Sequence, residues 1–133
     1  MNIIVCLDDN GGMLFNSRRQ SRDEALCQRI LEVTANDVLW MNEYSSKLFS
    51  NCIFKVDDCF LEKAGEDDYC FLEQPLPCEL KDKIGKVIVY RWNRKYPSDV
   101  KFDVSILESK HLTSSFEFKG VSHERITEEI FEL

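Results

Sequence analysis

Apolar residues fall along the chain in two rhythms, short unbroken runs and helical stripes, and their alternation predicts most of the fold. Asn2-Ile3-Ile4-Val5-Cys6-Leu7 is a nearly continuous apolar run with β-branched members. It is too short for a typical helix and suits a strand buried on both faces, as in a parallel sheet. Asp8-Asp9-Asn10-Gly11-Gly12 closes it as a turn. Ser21 and Glu24 make a capping box, and Leu26, Cys27, Ile30 and Leu31 follow as one stripe, so a first helix is predicted over residues 22–33. Residues 38–41 read as a second strand, 43–49 as a short helix with Tyr44, Leu48 and Phe49 on one side, and 52–56 as a third strand. A helical turn over 59–64 is stopped by Gly65. Residues 69–73 read as a fourth strand, ended by Pro75 and Pro77, and 86–91 as a fifth.

Strands alternating with helices predict βαβ units and a mainly parallel sheet. After Tyr96-Pro97-Ser98-Asp99 the character changes. Leu112, Ser114, Phe116 and Phe118 alternate through residues 110–119 as a half-buried strand. Residues 125–133 fit two forms, a helix capped by Ser122 with Ile126 and Ile130 inward, or a strand returning antiparallel as a hairpin; the strand is preferred because it completes the order of elements given below. Ile3, Ile4, Val5, Cys6, Leu39, Ile53, Phe71, Val87 and Val89 are expected in one buried cluster.

The length of 133 residues predicts one α/β domain spanning 1–133, and 44% hydrophobic with 31% charged residues is a globular mix. No apolar run reaches the roughly 18 residues that span a bilayer. Met1 runs straight into the first strand with no basic region or small-residue cleavage site, so no signal peptide and a cytoplasmic location are expected. In that setting Cys6, Cys27, Cys52, Cys59, Cys70 and Cys78 are expected reduced, and most of them, Cys6, Cys27, Cys52 and Cys70, sit inside apolar runs as small core hydrophobes. None forms a CxxC pair and the two histidines are not spaced as zinc ligands, so no metal site is expected. The net charge of −7 argues against a nucleic-acid partner. Nothing in the sequence decides whether the chain self-associates.

The charge is unevenly spread, and that suggests a site. In open parallel sheets ligands bind beyond the carboxyl ends of the strands. The segments emerging there carry Arg18, Arg19 and Arg22, then Asn42 and Tyr44, then Arg91 and Asn93. These seven are the candidate ligand-binding residues, expected to border one cleft with a helix N-terminus at Ser21 nearby. The alternative is that the arginines are solvated loop residues paired with Asp8, Asp9, Asp23 or Asp99. As loop charges, Arg19 and Arg91 should contribute little to stability. His123, after Gly120-Val121-Ser122, is expected as a surface residue without a partner. Trp92 and Tyr96 are cleft walls or cover for the sheet edge. No nucleophile elbow, P-loop or complete dinucleotide fingerprint is present.

Several local features stand in a telling order. Residues 3–7 lead into Asp8-Asp9-Asn10-Gly11-Gly12-Met13, and Asp23 or Glu24 opens a helix. Val38-Leu39-Trp40-Met41-Asn42-Glu43-Tyr44 passes from strand to helix with almost no loop. A strand at 87–91 precedes Asp99-Val100-Lys101-Phe102, then segments 110–118 and 125–132. Over most of its length the chain thus resembles the dihydrofolate reductase family. The resemblance implies a three-layer α/β fold: a mixed, mainly parallel sheet flanked by helices, with a C-terminal β-hairpin. It implies for Asp23 the place of a carboxylate that recognises a pterin-like ring, making it the catalytic candidate, against the plainer reading of an acid complementing the helix dipole.

Two departures bear on activity. The family's Gly-Arg-x-Thr, which binds the cofactor phosphates, is replaced by Asn42-Glu43-Tyr44-Ser45, and its Gly-Gly turn by Cys70-Phe71-Leu72-Glu73-Gln74-Pro75. NADPH is therefore not expected to bind tightly, and the fold is carried over without the activity. The chain also resembles small bacterial proteins labelled ribonuclease Z, but two isolated histidines cannot form that enzyme's His-x-His-x-Asp-His metal motif. The expected function is binding of a small anionic or heteroaromatic ligand. The alternatives are a divergent NADPH-dependent reductase and a protein-interaction module, and whether the chain is an enzyme stays open.

Overall fold

The first apolar run becomes β1 (Asn2–Leu7), the middle strand of a seven-stranded sheet among the described residues. The structure is a computed structural model and describes residues 1–50 and 53–133. After β1 come a short hairpin of β2 (Gly12–Phe15) and β3 (Arg18–Arg19), then α1 (Glu24–Val33), β4 (Leu39–Met41), α2 (Glu43–Ser46), β5 (Lys55–Val56), α3 (Phe60–Lys63) and β6 (Tyr69–Phe71). A 3-10 turn (Cys78–Lys83), β7 (Val87–Arg91), β8 (Val100–Lys101), a second 3-10 turn (Val104–Leu107), β9 (His111–Phe118) and β10 (Ile126–Glu132) complete the order. The main sheet runs β5-β4-β6-β1-β7-β10-β9. β1 pairs in parallel with β6 and β7, and β4 with β5 and β6, while β10 is antiparallel to both β7 and β9. Residues 126–132 are therefore the hairpin strand and not a helix.

β1 is apolar at successive positions because both its faces are covered. Ile3, Val5 and Leu7 point to one side with Val87, Val89, Phe60 and Phe102. Ile4 points to the other with Phe71, Tyr90 and the α1 residues Leu26 and Ile30. The expected single core is thus two cores divided by the sheet. Cys6 is only half-buried at the edge of the second. Ile53 is not core at all but 73% exposed, because the outermost strand β5 starts only at Lys55. The predicted strand position at Cys52 lies outside the described residues.

Other expectations shift for local reasons. Part of the presumed polar loop is a hairpin: Asn16 and Ser17 have φ of 51° and 61°, the two left-handed residues that a tight two-residue turn requires. α1 starts at Glu24 with Asp23 as its cap, so Ser21 is not the capping residue. β9 is the outer edge of the sheet and only Phe118 of it packs against the core that α1 covers, so Leu112 and Phe116 are exposed and the strand is not half-buried. Among the described cysteines, all free, Cys70 is buried, Cys6 and Cys27 are half-buried, and Cys59 and Cys78, which stand outside the apolar runs, are exposed. No helix among the described residues is long and apolar enough to cross a membrane.

Candidate functional site

α1 runs back from the carboxyl edge of the sheet toward the start of β4, so its N-terminus stands where the loops after β1, β6 and β7 emerge. Asp23 is buried there and both its oxygens are occupied. Oδ1 accepts from the backbone N–H of Ala25 at 2.9 Å and of Val121 at 3.0 Å. Oδ2 accepts from Ser122 N at 2.8 Å, Ser122 Oγ at 3.1 Å and His123 Nδ1 at 3.0 Å. Burial opposes ionisation, but the bonds from Val121, His123, Ser122 and Ala25 outweigh it and hold the carboxyl well below the usual range. Gly120 makes the approach possible, since a Cβ there would lie 2.5 Å from Asp23 Oδ2. Asp23 therefore caps α1 and fastens the β9–β10 loop to it.

His123 is buried, contrary to the surface position expected of it. The hairpin loop folds back onto α1 and carries the ring inward. Trp92 stacks on the imidazole with centroids 4.5 Å apart and planes at 27°. Nε2 lies 2.9 Å from the Tyr96 hydroxyl and 3.1 Å from Ser21 Oγ. The sequence offered one clue, the Gly-x-Ser-His run at 120–123, but its partner stands 100 positions away.

Of the seven candidate residues, three meet at the carboxyl ends of β4 and β6. Arg19 Nε donates to Glu73 Oε2 at 2.7 Å and Nη2 to Oε1 at 2.9 Å. Its guanidinium lies 4.4 Å over the Tyr44 ring, and its backbone N–H donates to the Tyr44 hydroxyl at 3.1 Å. Asn42 caps α2 by accepting from Ser45 N at 2.9 Å, and donates to Gln74 Oε1 at 3.1 Å. Ser45 Oγ donates to Glu73 Oε1 at 2.8 Å. Glu73, which the sequence reading passed over, is thus the hub, and its hydrogen bonds to Arg19 raise the guanidinium's proton affinity further.

The other four are dispersed. Arg22 is exposed near the start of α1, and Arg18 borders a shallow groove with Phe15, Tyr96 and Pro97; neither makes an ion pair among the described residues. Arg91 alternates along β7 with Tyr90 and Trp92, which face α1, so it projects from the opposite face and donates to Glu129 Oε1 at 2.7 Å. Asn93 sits in a left-handed turn (φ 59°) and donates to Arg125 O and Thr127 Oγ1. The expectation of one cleft bordered by all seven is corrected for Arg91 by this strand parity and for Asn93 by its bond to Thr127, which pairs with Arg91. The ion pairs also differ from the alternative reading, since Arg19 and Arg91 pair with Glu73 and Glu129 and with none of the four aspartates.

Two neighbouring spaces flank α1. The inner one, bounded by Arg19, Ser21, Asp23, Cys27, Glu73 and Trp92, holds about 20 Å³, room for roughly one water. Gln20 also borders it, and its Oε1 is buried without a hydrogen-bond partner among the described residues. The outer space shares Arg22, Asp23, Cys27 and Leu48 with the inner and opens between α1 and residues 47–50, with about 270 Å³. Arg22, Glu24, Gln28 and Lys47 supply its polar groups, and Leu31, Leu48 and Phe49 its apolar wall.

No protein-family model matches the sequence, and no curated protein matches it. Solved structures do match. A dihydrofolate reductase from Enterococcus faecalis, complexed with NADP(H) and RAB-propyl, superposes with a TM-score of 0.64 over 98% of this chain and 94% of its own, at 10% identity. The fold is that of dihydrofolate reductase. In this dihydrofolate reductase-like fold the mixed, mainly parallel sheet carries α1 on one face and α3 on the other, and β9 and β10 form the C-terminal hairpin.

Proposed function

We propose that the chain binds a small anionic or heteroaromatic ligand in the cleft between α1 and residues 47–50, and that it lacks standard reductase activity. The observation that carries this reading is the placement of Arg22 and Lys47 around about 270 Å³ of open space above an apolar wall. That volume suits a small ligand. The two cations are exposed at the mouth, whereas of the two acids only Glu24 is exposed and Asp23 is buried beneath its hydrogen bonds. In a protein of net charge −7 the mouth thus presents two exposed cations beside one exposed acid, and these are the groups available to an anion. Arg19, Asn42 and Tyr44 form the adjoining rim, and Arg18 lies beyond it.

The E. faecalis enzyme is complexed with NADP(H), but the residues of this chain do not fit a dinucleotide. A diphosphate needs close backbone approach and donors that converge on it. At the carboxyl ends of β4 and β6, Asn42 is spent on the α2 cap, Glu43 adds an acid, and Glu73 neutralises Arg19. No glycine stands between Gly65 and Gly85. Fluorescence titration should show no micromolar NADPH binding; such binding would favour the divergent reductase instead.

The ligand reading is tested by thermal shift against nucleotides, folates and phosphorylated metabolites, since a ligand specific for the native state raises its melting temperature. At least one anionic ring compound should raise Tm, and the joint variant Arg22→Ala, Lys47→Ala should lose the shift while melting where the parent does. Exposed charges of this kind contribute little to folding. An unchanged shift in that variant, or none across the panel, would remove the basis for the proposal.

A further inference from the structure

We propose that Ser21, His123 and Asp23 act as nucleophile, general base and orienting carboxylate of an acyl-transfer site at the inner end of the cleft, acting on esters or thioesters with a small acyl group. The geometry is that of a relay. Asp23 Oδ2 lies 3.0 Å from His123 Nδ1, and His123 Nε2 lies 3.1 Å from Ser21 Oγ. These are the nucleophile–base and base–orienter contacts that activate a hydroxyl. Asp23 accepts from Nδ1–H and so fixes the tautomer whose Nε2 can take a proton. The ring cannot swing away, because Trp92 stacks on it at 4.5 Å.

A purely structural staple would be complete without Ser21. A neutral imidazole has one donor and one acceptor, and Asp23 and the Tyr96 hydroxyl, 2.9 Å from Nε2, already satisfy both. Ser21 is a second hydroxyl on the same nitrogen, and its Oγ lies 3.5 Å from the Tyr96 hydroxyl, which in donating to it leaves the Nε2 lone pair to the Ser21 O–H. It is also the half-buried member and borders the inner space, whereas Asp23 and His123 are buried. Arg22 borders that space too and makes no ion pair among the described residues, which leaves its charge for a developing oxyanion.

The steps balance without an external oxidant or metal. Ser21 Oγ attacks the carbonyl carbon as its proton passes to His123 Nε2. The tetrahedral species collapses, the bond to the alcohol or thiol breaks, and Nε2–H protonates that leaving group. Water then attacks the acyl-Ser21 ester, giving its proton to Nε2, and the carboxylic acid departs as the proton returns to Oγ. The inner space of about 20 Å³ holds little more than the carbonyl group itself, so the acyl group is formyl-sized unless the loop yields, and the leaving group lies in the outer cleft.

The test needs no knowledge of the ligand. The full chain is incubated with an alkyl fluorophosphonate and followed by intact mass and peptide mapping; Oγ–P forms, P–F breaks and fluoride leaves. One adduct on Ser21 is expected, absent in Ser21→Ala. The labelling rate should fall by about 100-fold or more in His123→Gln, the scale of a lost general base. It should be retained in Tyr96→Phe, where Ser21 becomes the only hydroxyl on Nε2. In Asp23→Asn the ring loses the acceptor that fixes its tautomer, so labelling of Ser21 should slow while the circular dichroism spectrum is kept, which a merely structural role would not produce. Circular dichroism confirms that each variant is folded, and the mapped adduct on the parent protein is decisive if one is not. A folded parent with no adduct on Ser21, or equal labelling of folded His123→Gln, would overturn the proposal.

Discussion

Replacing Arg19 with alanine should cost the fold far more than a loop arginine normally would. Its side chain is 19% exposed and that of its partner Glu73 only 9%. Two charge-assisted hydrogen bonds, at 2.7 and 2.9 Å, disappear, and among the described residues Glu73 keeps only the Ser45 hydroxyl at 2.8 Å. Removing one partner of a buried pair costs about 3–5 kcal/mol, because the other charge stays desolvated. The residual exposure of Arg19 puts the loss near the lower end, about 3 kcal/mol, including the stacking on Tyr44. For a chain of 133 residues that lowers Tm by roughly 10 °C. Urea and thermal unfolding followed by circular dichroism measure it. The pair Arg19→Met, Glu73→Leu should recover most of the loss, since apolar replacement of a buried pair is often neutral. An Arg19→Ala protein within about 0.5 kcal/mol of the parent would refute the reasoning and return Arg19 to the class of exposed loop charges.

Other outcomes follow from the same contacts. Asp23 has a depressed carboxyl pKa, so its contribution is present above the unfolded value of about 3.9 and lost as pH falls toward the folded one. The stability gap between the parent and Asp23→Asn should therefore narrow below about pH 4, as read by urea unfolding across pH; a gap independent of pH would contradict the bonding pattern. Val5→Ala or Val87→Ala should cost on the order of 1–3 kcal/mol by chemical denaturation, since both side chains are fully buried. Ile53→Lys should leave Tm unchanged, because Ile53 is 73% exposed.

The strands and the first helix were legible because their signal is local. The run at 2–7, the stripe at 26–31 and the run at 87–91 each carry their own periodicity, and β1, α1 and β7 follow it. The site was legible only in part. Arg19, Asn42 and Tyr44 converge as topology requires, yet their hub Glu73 read as the end of an unremarkable strand. Arg91 was placed on the wrong face although the correction lay in the sequence: on one strand it must oppose Trp92, and both cannot face the same cleft. The contact of Asp23 with His123 was illegible, because no periodicity predicts which loop folds back across 100 residues. Ile53 shows the reverse limit, an apolar residue whose hydrophobicity says nothing of its exposure beside an edge strand.

The ligand cleft itself is most directly tested by titrating the isotopically labelled chain with pterin-6-carboxylate, a small anionic heteroaromatic, and following backbone amide shifts by NMR. Saturable shifts are predicted at Arg22, Gln28, Lys47 and Leu48, with Leu112 and Phe116 on the far edge strand unmoved. No shifts at millimolar ligand, or shifts gathered instead around Arg91 and Asn93 on the other face, would contradict the assignment of the cleft.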